Sequence, residues 1–147
     1  MRVKKSFGGK KQAPHPLHDA IWRCDMEQVR AIYSGEPELL YSKDEEGRTP
    51  LHVAAYHGRV AIVKFLLSRN RKPDINARAN DGGTPLYHAV GGGHCDTAEL
   101  LLENNADVNA KTDDGWSPFR LAAFKVDWNL VNLLLKHGAE KEFMLRE

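Results

Sequence analysis

Apolar residues recur along the chain at the spacing that places them on one face of an α-helix. Residues 60–67 show the spacing i, i+3, i+4 and i+7, with apolar side chains at Val60, Ile62, Val63, Leu66 and Leu67. Residues 128–135 repeat the arrangement with Trp128, Leu130, Val131, Leu134 and Leu135. Each stretch predicts an amphipathic helix, and we expect its apolar face, Trp128 included, to lie in the core.

A shorter apolar segment precedes each of these helices and begins with the same four-residue pattern. The pattern occurs at Thr49-Pro50-Leu51-His52, Thr84-Pro85-Leu86-Tyr87 and Ser117-Pro118-Phe119-Arg120, with a weaker copy at His15-Pro16-Leu17-His18. The successive prolines are separated by 34, 35 and 33 residues. A fixed period of this length is typical of repeat proteins whose units stack on one another.

Polar residues and glycines mark the ends of the predicted helices. Thr49, Thr84 and Ser117 are good N-cap residues, because a side-chain hydroxyl accepts a hydrogen bond from a free helix amide. The proline that follows each of them has no amide to leave unpaired at the first helical position. Gly58 and Gly93 are placed to end the first helix of their units. Each unit is therefore predicted to run helix, turn, helix, extended turn.

The repeated pattern resembles that of the ankyrin repeat family, whose units of about 33 residues begin Thr-Pro-Leu-His-x-Ala. The resemblance implies an all-α solenoid of four helix-turn-helix units joined by β-turn or hairpin loops, covering residues 14–147. The units would span about 14–45, 46–80, 81–113 and 114–147, with divergent capping repeats at both ends. In the first unit Cys24 replaces the expected glycine, and residues 36–40 replace the usual Gly-Ala-Asp. The second unit carries two extra residues near Arg71-Lys72-Pro73, which we expect to bulge from the loop after its second helix.

Composition narrows the class of protein. The formal net charge is +1, and no apolar run approaches the roughly 20 residues needed to cross a bilayer. Two cysteines, Cys24 and Cys95, are too few for a disulfide framework and suit a reducing compartment. We therefore expect an intracellular protein, in the cytoplasm or alternatively the nucleus, and a monomer, since a capped stack needs no second copy. Residues 1–13 contain several lysines and predict a disordered basic tail.

Candidate catalytic and metal-binding residues are few. His88, His94 and Cys95 are of the types that bind zinc, but the repeat alignment favours structural roles for them, and we prefer that interpretation. The run Gly91-Gly92-Gly93 is not followed by the Gly-Lys-Ser/Thr of a phosphate-binding loop, and we interpret it as a loosened helix end. No Ser-His-Asp or Cys-His arrangement is supported. The sequence predicts no enzyme activity, no cofactor and no metal.

The resemblance also implies where a partner binds, because ankyrin repeats usually bind on a concave face formed by the turn tips and the ends of the first helices. In this sequence those positions hold aromatic and charged residues, types that are enriched in binding hot spots. The predicted partner-binding residues are Trp22, Arg23, Arg48, Tyr56, His57, Asp81, Asp114, Trp116, Phe124 and Lys125. Gly91 and Gly92 are expected to leave a gap in this row for a protruding part of the partner. For Trp22 and Phe124, the alternative is that they cover the end repeats.

The predicted turn tips are acidic, at Asp44-Glu45-Glu46, Asp81 and Asp113-Asp114. Acidic side chains repel nucleic-acid phosphates and favour a partner with a basic surface. We therefore predict an adaptor or inhibitor that binds another protein. The alternative is a nucleic-acid-associated regulator that acts through the basic N-terminal tail. The resemblance also places Asn76 and Asn109 at the asparagine that a hydroxylase modifies in animal ankyrin repeats, with ordinary turn asparagines as the alternative.

Overall fold

The computed structural model describes residues 15–141, and its regular structure is entirely helical over that range. The first helices of the successive pairs are α1 (Pro16–Trp22), α3 (Pro50–Tyr56), α5 (Pro85–Gly92) and α7 (Pro118–Phe124). The second helices are α2 (Met26–Gly35), α4 (Val60–Ser68), α6 (Cys95–Glu103) and α8 (Trp128–Lys136). A 3-10 helix, Pro37–Tyr41, follows α2.

The first helices begin as the sequence predicts. The hydroxyls of Thr49, Thr84 and Ser117 accept hydrogen bonds from the third amide of α3, α5 and α7 at 3.4, 3.3 and 3.1 Å. A proline occupies the start of each helix. In α1 the cap residue is His15, whose side chain makes no capping bond. The divergent first unit therefore starts without the cap that stabilises the other three.

Each first helix is followed, within two residues, by a residue in the left-handed region. The φ angles are +65° at Gly58 and +77° at Gly93, which confirms the predicted glycine stops. Cys24 adopts the same conformation at +59°, and Val126 does so at +58°. A left-handed β-branched residue is uncommon because its Cβ crowds the backbone, so the geometry of the turn, common to all four pairs, overrides the preference of Val126.

The helices pack in two layers that run along the chain. The first helices contact one another in the order α1, α3, α5, α7, and α4, α6 and α8 contact one another in the other layer. Each first helix also packs against the second helix that follows it. Leu51, Leu66, Leu101 and Leu134 are fully buried between the layers. This arrangement confirms the predicted all-α repeat solenoid, in which stability comes from contacts between neighbouring units.

Trp128 corrects the prediction that it belongs to the core. Its side chain is 56% exposed, whereas Leu130 and Leu134 are buried. Successive helical residues are rotated by about 100°, so Trp128 lies almost opposite Leu130 around the axis of α8. The apolar spacing identified the helix correctly but assigned one residue to the wrong face.

The extra residues of the second unit lie in the loop after α4, as expected, and two tyrosines of the first unit hold them. The Tyr33 hydroxyl donates to the Arg71 carbonyl at 3.1 Å and accepts from the Arg71 amide at 3.3 Å. The Tyr41 hydroxyl donates to the Lys72 carbonyl at 2.9 Å. Tyr41 ends the 3-10 helix. This helix and the loop after α4, the two segments that depart from the repeat pattern, are therefore hydrogen-bonded to each other.

The predicted basic tail, residues 1–13, lies outside the described residues, as do residues 142–147. The proposed unit boundaries and the disorder of the tail remain predictions. Within residues 15–141, no helix is both long enough and apolar enough to cross a membrane.

Candidate functional site

Three turn tips align along one edge of the stack. Each tip is closed by a backbone hydrogen bond, from Asp44 to Arg48, Ala79 to Gly83 and Thr112 to Trp116, at 2.8 to 3.0 Å. Adjacent tips are also joined, because the Asn80 amide donates to the Glu46 carbonyl at 2.9 Å and the Asp113 amide to the Asp81 carbonyl at 3.0 Å. Side chains carried by the tips are thereby held in register with the ends of the first helices.

Histidine side chains form hydrogen bonds from helices α1 and α3 to the turn tips that follow them. The ring of His18 donates from Nε2 to the Arg48 carbonyl at 2.6 Å, and that of His52 donates to the Gly83 carbonyl at 2.9 Å. The Thr49 amide donates to Nδ1 of His52 at 3.0 Å. Burial lowers the pKa of His52 to about 4, because loss of water disfavours the charged ring. The neutral ring leaves Nδ1 able to accept that bond. Each ring therefore links the first helix of one unit to the turn tip of the next.

A groove of about 330 Å³ lies at the first junction, and we call it the N-terminal groove. Its lining includes Trp22, Val53, His57, Arg48 and Glu45. Trp22 is 58% exposed, and its carbonyl accepts a hydrogen bond from the Arg59 guanidinium at 2.8 Å. Burial, together with the charges of Arg59 and Arg48, lowers the pKa of His57. This groove therefore presents an indole beside neutral imidazole at physiological pH.

Asp44 belongs to the turn and not to an exposed acidic rim, which corrects the prediction for this residue. Its carboxylate accepts hydrogen bonds from the amides of Glu46 and Arg48 and from Nε of Arg48, each at 2.9 Å. Although burial opposes ionisation, these bonds and the guanidinium lower the pKa of Asp44. Arg48 is thus held by an internal ion pair, and Glu45 and Glu46 carry the exposed charge of this tip.

A second groove, of about 260 Å³, lies between the last two tips, and we call it the C-terminal groove. It is lined by Asp81, Tyr87, Thr112, Asp114, Trp116, Leu121 and Phe124. The rings of Trp116 and Phe124 meet edge to face with centroids 5.5 Å apart. The guanidinium of Arg120 lies 4.2 Å from the centroid of the Trp116 ring.

Tyr87 is a groove residue that the sequence analysis did not single out. It stands at the position that holds His18 and His52 in the first two units. The sequence did contain a signal for it, since the histidine that bonds a first helix to the next tip is replaced in the third unit by the longer side chain of Tyr87. Burial raises the pKa of the Tyr87 hydroxyl, and the negative charges of Asp81 and Asp114 raise it further.

Tyr56 lies between the two grooves and is 45% exposed. Its ring meets that of His57 edge to face at 5.2 Å. A Cβ on Gly91 would meet the Leu121 and Tyr56 side chains at 3.8 and 3.9 Å, which is ordinary contact. A Cβ on Gly92 would collide with the Tyr56 carbonyl oxygen. Gly92 is therefore required for the close approach of α3 and α5, and the gap at Gly91 stays a prediction.

The predicted site residues separate into two groups, one in each groove, and three residues that lie outside both. Trp22, Arg48 and His57 share the N-terminal groove, and Asp81, Asp114, Trp116 and Phe124 share the C-terminal groove. Arg23 forms an exposed ion pair with Asp19 at 2.9 Å. Neither groove is lined by Arg23, Lys125 or Tyr56.

The alternative site residues have structural contacts. His88 packs edge to face on His52 at 4.9 Å, and His94 lies against the backbone of Gly58. Burial raises the pKa of the Cys95 thiol. Across the described part of the chain, no group of three or more His, Cys, Asp or Glu side chains is arranged to hold a metal ion.

The two asparagines considered for hydroxylation join neighbouring loops. Oδ1 of Asn76 accepts from the Asp107 amide, and Oδ1 of Asn109 accepts from the Glu140 amide, both at 2.9 Å. Each therefore has a stabilising role in its turn, and their modification remains a prediction.

Comparison with known proteins places the sequence among repeat proteins. A family model described as ankyrin repeats (3 copies) matches residues 17–112 and 73–144. The probable 26S proteasome regulatory subunit p28 of Saccharomyces cerevisiae is 28% identical over 160 aligned positions, covering 84% of this chain and 70% of that protein.

Two further relatives match over shorter segments. The ankyrin repeat protein nuc-2 of Neurospora crassa is 38% identical over 97 residues, covering 66% of this chain and 9% of that protein. The 26S proteasome non-ATPase regulatory subunit 10 of Dictyostelium discoideum is 41% identical over 80 residues, covering 54% of this chain and 34% of that protein. The chain thus spans 9% and 34% of the lengths of these two relatives.

Proposed function

This chain belongs to the ankyrin repeat family, whose repeats are protein–protein interaction modules, and on that premise we propose that it is an adaptor or inhibitor of a partner protein. The partner binds on the concave face, along the surface that carries the N-terminal and C-terminal grooves. Two of the relatives are named as regulatory subunits of the 26S proteasome, which supports a role within a multi-protein assembly.

The exposed aromatic residues at the ends of the first helices carry this proposal. Trp22, Tyr56 and Phe124 are the last residues of α1, α3 and α7 and are 58%, 45% and 70% exposed. Large side chains of these types supply much of the binding energy of protein interfaces when a partner removes them from water. Folding leaves much of the surface of these three rings in water, so that surface contributes apolar burial only when a partner covers it.

Tyr56 distinguishes a role in partner binding from a role in covering the end repeats. Trp22 and Phe124 belong to the first and last helix pairs, where either role fits. Tyr56 ends α3, which packs on both α1 and α5, so it has no free end of the stack to cover. Its exposed ring is best explained by contact with another molecule.

Affinity capture from native cells, with identification of the captured protein, supplies the partner for the test. We expect Tyr56→Ala and Trp22→Ala each to weaken binding of the purified partner by about tenfold or more, the loss of a hot-spot residue. Isothermal titration calorimetry measures the affinity, and circular dichroism checks that the variants fold.

Tyr41→Ala is the matched control, because Tyr41 is 48% exposed but lies on the 3-10 helix. We expect it to bind like the parent protein. Full affinity of the Tyr56→Ala and Trp22→Ala variants would rule out the proposed surface.

A further inference from the structure

The C-terminal groove combines aromatic rings with two acidic side chains, Asp81 and Asp114, a combination that suits a cation. We propose that it receives a lysine or arginine side chain from a basic segment of the partner. This inference rests on the proposed function and specifies the chemistry of the partner at one place on the binding surface.

The rings supply the first part of the argument. Tyr87, Trp116 and Phe124 line one cavity of about 260 Å³, and the edge-to-face contact of Trp116 with Phe124 turns their faces in different directions. A ring face attracts a cation because its π electrons carry negative charge. Arg120 already lies on the Trp116 ring, which leaves the rings of Tyr87 and Phe124 for an incoming side chain.

Two carboxylates supply the second part. Asp81 and Asp114 line the same cavity. Asp81 uses one oxygen to accept a hydrogen bond from the Gly83 amide at 2.8 Å. The neighbouring Asp113 pairs instead with Arg78 at 3.2 Å and does not line the cavity. The two groove carboxylates exceed the single charge of Arg120, so the groove is acidic overall.

Charge and shape together select a long basic side chain. Leu121 and Phe124 offer apolar surface to the methylene stem of lysine or arginine, while the charged group stays close to the carboxylates. The field of those carboxylates already acts inside the groove, since it contributes to the raised pKa of Tyr87. In the N-terminal groove, in contrast, the carboxylates already have partners, since Asp19 pairs with Arg23, Asp44 with Arg48 and Glu45 with His15.

Nuclear magnetic resonance titration of the full-length protein tests the inference with three blocked pentapeptides, Gly-Ser-X-Ser-Gly, where X is lysine, arginine or norleucine. We expect the lysine and arginine peptides to shift the Trp116 indole N–H signal saturably. The norleucine peptide, which keeps the stem and lacks the charge, should bind about two- to fivefold more weakly.

The variant Asp114→Asn, which preserves shape and removes one charge, should weaken the lysine peptide by a similar factor. Asp113→Asn is the matched control and should leave the affinity unchanged. Equal binding of norleucine and lysine peptides, absence of a saturable shift, or equal effects of the two variants would each overturn the inference. Partner capture through Trp22 and Tyr56 is measured separately, so its outcome distinguishes failure of the proposed function from failure of this inference.

Discussion

Val126 occupies a backbone conformation that is unfavourable for a β-branched residue. It stands at the left-handed turn where the middle pairs have Gly58 and Gly93, and its side chain is 61% exposed. A left-handed L-residue costs about 1–2 kcal/mol, and little burial offsets that cost here. The departure from glycine at Cys24 was predicted from the repeat pattern, whereas the one at Val126 was not.

We predict that Val126→Gly stabilises the protein by about 1 kcal/mol, because glycine adopts this conformation without strain and its greater unfolded-state entropy offsets part of the gain. Urea unfolding followed by circular dichroism measures the change. Gly93→Ala provides the reverse test, since its added Cβ would meet no atom within 4 Å and only the backbone conformation at +77° is strained. It should destabilise by a similar amount, and a neutral result for both variants would contradict the explanation.

At the scale of elements, tyrosines of the first unit stabilise the loop after α4, where the second unit carries its extra residues. Tyr33 and Tyr41 reach Arg71 and Lys72 across 38 and 31 residues. The insertion after α4 was visible in the sequence as a break in the period. Its anchoring was not, because no local pattern indicates which distant hydroxyl will meet a free carbonyl.

We predict that the double variant Tyr33→Phe with Tyr41→Phe loosens this loop while leaving the helices intact. The rings remain, including the edge contact of Tyr33 with Phe65 at 5.5 Å, and only the hydroxyl bonds to the loop are lost. Each such bond contributes about 1 kcal/mol. Limited digestion with trypsin, which cuts after Arg69 and Arg71, should become several-fold faster in the double variant.

Tyr87→Phe makes the same chemical change in the C-terminal groove and serves as the control for that digestion. It should leave the rate of cleavage in the loop unchanged. Parent-like digestion of the double variant would mean that the tyrosine hydroxyls do not restrain the loop.

Helix positions were more predictable than helix faces. The caps at Thr49, Thr84 and Ser117 and the stops at Gly58 and Gly93 depend on local backbone geometry, which the sequence encodes directly. Trp128 was assigned to the core because it continued an apolar spacing, although the buried face of α8 is set by contact with α6 and α7. Tertiary contacts, which a single stretch of sequence does not contain, decide such cases.

For the molecule as a whole, histidines tie successive units in the first half of the stack only. His18 and His52 bond to the tip of the next unit, whereas Tyr87 and Arg120 occupy the same place in the third and fourth pairs. Because each unit contacts only its neighbours, the stability of the stack depends on these junctions individually.

We predict that the protein loses stability as the pH falls from about 6.5 to about 4. An unfolded histidine takes up a proton near pH 6.5, while folded His52 stays neutral until about pH 4, so acid favours the unfolded chain. Burial lowers the pKa of His18 and His88 in the same direction. For His52 alone the full loss corresponds to about 3 kcal/mol.

Urea midpoints measured at several pH values between 7 and 4.5 follow this loss. The variant His52→Gln should start less stable at pH 7 and show a smaller decline, since the titrating group is gone. An unchanged decline in that variant would show that other groups are responsible.

The row of side chains at the first-helix ends was predictable, whereas the two grooves along it were not. The repeat frame identifies equivalent positions such as Trp22, Tyr56 and Phe124. The grooves depend on where side chains from neighbouring units converge, as Tyr87 does with Trp116 and Phe124, and that convergence exists only after the units stack.

The backbone bonds between adjacent tips give each tip a direction. In the tip around Asn80 and Asp81, the backbone amide of Asn80 donates to Glu46 of the preceding tip, and the carbonyl of Asp81 accepts from Asp113 of the following tip. One side of the tip is therefore a donor and the other an acceptor. A duplicated copy of the segment between two tips would therefore find a donor on one side and an acceptor on the other. A gene encoding such a chain can lengthen by tandem duplication while each existing junction keeps its hydrogen bonds. The number of units can therefore change in evolution largely independently of the surface that any one unit presents.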